Sequence, residues 1–178
     1  MRTASVPELR LRFPIRQIAR LAVEYAYADD SAVQAIGTKA QSRGWYTRDE
    51  LVAVGFWKTE RSRSRVRQNS EGAVEDATEL ALRTADERLR IGVLTQLQGV
   101  LMPTASVLLH LAHRDPYPIL DFRALWSLGV NVQPSYYSFE LWERYVQRCR
   151  ELAVKAGVDM RTLDRALWQY SSTHQGPR

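Results

Sequence analysis

The stretch "YPILDFRALWSLG" places one carboxylate, Asp121, directly after Ile119 and Leu120 and directly before Phe122. An ionised carboxylate drawn out of water is costly unless it is paired, hydrogen-bonded or put to chemical use. Two uses fit this spacing. Asp121 opens a short helical pattern that runs to about Leu128 and stops at Gly129, so its oxygens can accept N–H bonds from residues two or three further on, as an N-cap does. Apolar flanks also suit a carboxylate put to chemical use, because partial desolvation strengthens its electrostatics. The two roles are compatible.

The other residues with chemical potential are less concentrated. The three histidines have no metal-ligand spacing; His110 shares a face with Ser106 and Pro103, and His113 falls in a last helical turn, where a cation is mildly favoured. The single Cys149 excludes an intramolecular disulfide and any four-cysteine zinc or iron–sulfur site. Trp45, Tyr46, Phe56 and Trp57 flank a short helical segment. Such rings serve a core, and they are also the groups on which extruded bases stack. Lys58 then leads into "KTERSRSRVRQNS", where Arg61, Arg63, Arg65 and Arg67 stand without an apolar stripe. This segment reads as a loop or a loosely helical surface stretch, its cations either solvated or set against a phosphate backbone. Arg123, just inside the aspartate helix, can touch phosphate or pair with an acidic residue, and pairing is the favoured reading. Glu24, four residues after Arg20, reads as a solvated ion-pair partner.

Composition narrows the classes. With 178 residues, 45% hydrophobic and 25% charged, the chain is expected to form one domain over 1–178. Net charge is +5, and 22 of the 25 basic residues are arginine, the side chain better suited to bidentate phosphate contact. GC-rich coding gives the same bias, so the charge keeps nucleic acid among the partners without requiring it. No apolar run is long enough to span a membrane and no signal-peptide organisation is visible, so a cytoplasmic location is expected.

The elements that must position these residues are helical throughout, with no sustained two-residue alternation. Ile15, Ile18, Ala22 and Tyr25 form one stripe. Thr47, three residues before Glu50, gives a capping-box signal for a helix that turns Leu51, Val52 and Val54 inward. Two helical patterns occupy residues 71–97, broken near Thr84-Ala85-Asp86. Pro103 suits the first position of the next helix, and Asp115-Pro116 forces a turn before Asp121. Ser138 caps a long helix that ends at Gly157, and "DMRTLDRALWQYSS" forms the last one. The fold class is therefore all-α.

The order helix, tight hairpin, helix, aspartate carries one resemblance. Residues 86–129, with the hairpin Leu97-Gln98-Gly99-Val100-Leu101-Met102-Pro103-Thr104-Ala105 and with Asp121 eighteen residues after Pro103, resemble the helix–hairpin–helix DNA glycosylase superfamily. "YPILD" is similar to the aspartate segment of the adenine-mismatch glycosylases. The resemblance implies a multi-helix orthogonal bundle, a double-stranded DNA partner, and Asp121 as the catalytic carboxylate of base excision. It implies backbone-phosphate contacts from Gly99, Val100, Leu101, Met102 and Thr104, with Lys58, Arg61 and Arg63 as supporting cations and Trp57 and Tyr117 as base-pocket candidates. Family hairpins also hold a monovalent cation through backbone carbonyls; no other cofactor is implied, and the iron–sulfur branch is excluded by the cysteine count. Two departures are visible. Leu101 replaces the second hairpin glycine, and Pro103 stands where the bifunctional members carry a Schiff-base lysine, so the implied chemistry is monofunctional. Two other readings stay open: a DNA-structure-binding module without chemistry, and a protein-interaction domain whose arginine segment meets an acidic partner.

Overall fold

The computed structural model describes residues 7–26, 29–59, 63–131 and 137–176, and these are all-α, with no strand among them. In chain order the helices are α1 (Ile18–Val23), α2 (Ser31–Arg43), α3 (Arg48–Lys58), α4 (Arg63–Val66) and α5 (Glu71–Arg83). They continue with α6 (Glu87–Leu94), α7 (Met102–Ala112), α8 (Phe122–Ser127), α9 (Phe139–Ala156) and α10 (Met160–His174). No described helix is long and apolar enough to cross a membrane. The chain divides into two compact units, Ala28–Ile119 and the pair of segments Met1–Tyr27 with Leu120–Arg178. The hairpin belongs to the former and Asp121 to the latter.

Sequence signals fix most helix ends. Thr47 accepts the Glu50 N–H while Glu50 accepts the Thr47 N–H, completing the capping box. Ser70, Asp86, Asp121, Ser138 and Asp159 each cap the helix that follows through a side-chain oxygen. Gly129 and Gly157 take positive φ just past α8 and α9. Pro103 occupies the second position of α7, not the first.

In the unit 28–119, α7 is the central helix: eight of its eleven residues are buried. Helix α2 lies so close to it that a Cβ on Gly37 would sit 2.5 Å from the Leu111 carbonyl oxygen. This helix is absent from the sequence expectations, because small residues make its backbone contact and its stripe is weak. Tyr46 is buried between α7 and α5, its hydroxyl donating to the Leu108 carbonyl at 2.8 Å and its N–H to Thr78 Oγ1 at 2.9 Å. Arg90 is also buried: its guanidinium donates to the carbonyls of Ala81 and Thr84 at the end of α5, to Tyr117, and to the Glu87 carboxylate. A buried arginine is tolerable only when its donors are spent in this way.

In the other unit, α10 packs on α1 and α8. The extended segment before the first helix bonds to the end of α8, with Arg10 N–H on Leu128 O at 2.8 Å and Arg12 N–H on Ser127 O at 2.9 Å. Trp142, Tyr145, Leu125, Leu128, Leu163 and Leu167 form its core.

Candidate functional site

The hairpin is built around Gly99. Its φ of +76° is a left-handed conformation that glycine adopts without steric cost. A Cβ there would lie 2.9 Å from both the Val66 N and Cγ2 atoms and 3.0 Å from Arg65 Cβ, so the turn rests directly on α4. Val66 is the only apolar residue of α4, it is buried, and its methyls also lie against Gly55 of α3. The arginine segment is therefore a short helix wedged between α3 and the hairpin, with Arg65 and Arg67 exposed. Asn69 locks the arrangement. Its Nδ2 donates to Val66 O at 2.8 Å and Gln98 O at 3.0 Å, and its Oδ1 accepts the Gln98 N–H at 2.8 Å.

The remaining hairpin residues divide by exposure. Leu101, at the second glycine position of the resembled hairpin, has φ −102° and ψ 170°, ordinary extended backbone, and its side chain is 65% exposed. Replacing that glycine thus imposes no positive-φ strain. Val100 and Thr104 are buried, so only their backbone can meet a strand; Met102 is half-buried. Helix α7 starts without a capping side chain, and the first-turn amides of Met102 and Thr104 precede its first N–H bond to a carbonyl, Ala105 to Leu101. The carbonyls of Leu97 and Gln98 accept bonds from Val100 N–H and Asn69 Nδ2. Among the described residues no group of His, Cys, Asp and Glu could hold a metal ion.

The supporting residues are dispersed. Lys58 and Trp57 are half-buried at the end of α3. Arg61 and the Arg63 side chain lie outside the described residues. Tyr117 is 1% exposed; its hydroxyl accepts from Arg90 and donates to Glu87, and its ring meets His113 edge-on at 4.9 Å. A ring with no exposed face is a core group here, since stacking on a base needs an open face.

Asp121 caps α8: Oδ1 accepts the Arg123 N–H at 2.8 Å, and the residue is half-buried. Behind it Tyr145 is fully buried, and burial, then Cys149, Asp164 and Asp121, push its phenol well above the usual range. Asp121 thus has the capping role and retains partial access to solvent.

Three features were not legible in advance. Asn69 carries no signal beyond preceding the Ser70 cap. Arg90 stands on an otherwise apolar stripe with Leu94 and Leu97, which is a signal of a buried, bonded charge. Arg123 does not pair with an acid among the described residues; its guanidinium carbon lies 5.3 Å from the Phe122 ring centroid and 5.2 Å from that of Trp168. A cleft of about 610 Å³ in the unit 28–119 is lined by Arg43, Trp45, Arg83, Arg90, His113 and Arg114 among others. Arg43 and Arg90 are committed to Glu50 and Glu87, and Arg83 sits 3.7 Å from Glu79. Asp121 does not line it. Comparison of the chain with protein-family models, with curated proteins and with solved structures finds no match.

Proposed function

We propose that the chain is a DNA-binding protein of the helix–hairpin–helix glycosylase type, acting as a monofunctional N-glycosylase on a damaged or mismatched base. The observation that supports this reading best is the seating of α4 on Gly99: exposed Arg65, distant from the hairpin in sequence, packs against a turn that leads into an uncapped helix N-terminus. Such a face engages phosphates without reading sequence. The base is extruded from the duplex, and the bond between C1′ and the base nitrogen breaks, the base keeping the electron pair and taking up a proton. Asp121 stabilises the oxocarbenium-like sugar and orients a water, whose oxygen bonds to C1′ as its proton leaves.

The test is base release from damaged or mismatched duplexes by the wild type and Asp121→Asn. Asparagine caps a helix about as well as aspartate, so folding is preserved. Release lost in the variant is expected; equal release removes Asp121 from the chemistry. The second reading, a DNA-structure-binding module, is favoured by the capping bond of Asp121, which gives the carboxylate a purpose without catalysis. It predicts salt-dependent duplex binding with no release by either protein.

A further inference from the structure

Arg123 is the second residue of α8, its backbone N–H held by the Asp121 carboxylate at 2.8 Å. Its guanidinium lies against two half-buried rings, Phe122 and Trp168, and Trp168 in turn meets Tyr25 edge-on at 5.4 Å. Among the described residues the Arg123 side chain has no hydrogen-bond or ion-pair partner, whereas Arg43, Arg90 and Arg161 each have an acidic one. These cation–π contacts hold the guanidinium against the two rings, and no acid among the described residues takes up its planar N–H fork, which is the part that can engage a ligand.

A fork of this kind matches two acceptors side by side on one planar edge: a carboxylate, a phosphate, or the O6 and N7 of guanine. The first two are anions. Asp121 already supplies a negative charge beside the Arg123 backbone, and a second anion there meets its repulsion. A neutral purine edge does not, and its ring finds aromatic neighbours of the kind on which unpaired bases stack. We propose that Arg123 reads the base at the Asp121 site, and that this base is a guanine-type purine engaged through O6 and N7. The inference deepens the glycosylase reading and rests on it.

The test follows intrinsic tryptophan fluorescence of the full chain during titration with guanosine, adenosine, 7-deazaguanosine and inorganic phosphate. Saturable guanosine binding is expected, with adenosine and 7-deazaguanosine weaker by at least about tenfold. Arg123→Gln and Arg123→Lys lose the same preference, the latter because ammonium has no planar fork. The ligand comparison needs no substitution and stands even if the variants fold poorly. Equal binding of guanosine and 7-deazaguanosine, no saturable guanosine binding, or displacement of guanosine by phosphate overturns the inference. Base release that depends on Asp121, together with indifference to guanosine, overturns the base assignment alone. Guanosine binding through Arg123 without any base release overturns the glycosylase reading alone.

Discussion

Replacing Gly99 by alanine tests how the hairpin is held. The substitution places an L side chain at φ +76°, which costs about 1–2 kcal/mol. It also drives a methyl to 2.9 Å from the Val66 backbone N, an atom that moves only if α4 moves. Overpacking of this kind typically costs about 1–3 kcal/mol more. The sum is about 2–5 kcal/mol. Gly44→Ala is the matched control in the same unit: its φ is +98°, but nothing lies within 4 Å of the added Cβ, so only the backbone cost of about 1–2 kcal/mol applies. Urea unfolding of both variants, with duplex affinity measured at two salt concentrations, separates the two contributions. Gly99→Ala should lose more stability than Gly44→Ala and should also bind duplex more weakly. A loss no larger than that of Gly44→Ala would refute the seating of α4 on the hairpin.

Asn69→Ala removes three hydrogen bonds and strands the Gln98 N–H and carbonyl, so a loss of about 2–4 kcal/mol is expected in urea unfolding, with Asn69→Asp intermediate because it keeps only the acceptor. His113 is held below the usual histidine range by burial and by the nearby Arg90, with Asp115 and Glu87 opposing. Its folded pKa is the lower one, so its contribution is present above the unfolded value near 6.5 and is lost as pH falls through that value toward the folded one; His113→Gln should flatten the acid side of the stability profile over that window. Cys149 is buried and burial raises its thiol, so a thiol reagent should label it only as fast as the chain unfolds.

What the sequence reveals is what local chemistry decides. Thr47 with Glu50, Ser138, Asp121, Gly129 and Gly157 mark helix ends through bonds or backbone angles confined to a few neighbouring residues, and each marks the end it was assigned. Helix α2 escaped because Gly37 packs by lacking a side chain, which a search for apolar stripes cannot register. The candidate site is legible only in parts. Gly99 and Asp121 declare themselves as a turn and a cap, but the approach of α4 depends on Val66 meeting two glycines remote from it in sequence. For Arg123 an acidic partner was favoured over phosphate because charge alone is visible in sequence; the rings beside it come from a neighbouring position and from α10. Tyr117 was a pocket candidate by type, and its burial follows from Arg90, a residue whose role depends on carbonyls at the end of another helix.

One Val66 methyl, Cγ2, is the nearest atom to the place a Cβ would take at both Gly55, at 3.4 Å, and Gly99, at 2.9 Å. Inheritance should therefore treat the two glycines differently. A methyl at 55 meets Val66 at ordinary contact distance and needs no exchange there, whereas position 99 is bound both by its backbone angle and by the α4 backbone 2.9 Å away. In a set of diverged descendants, 55 should accept alanine with valine kept at 66, while 99 stands still.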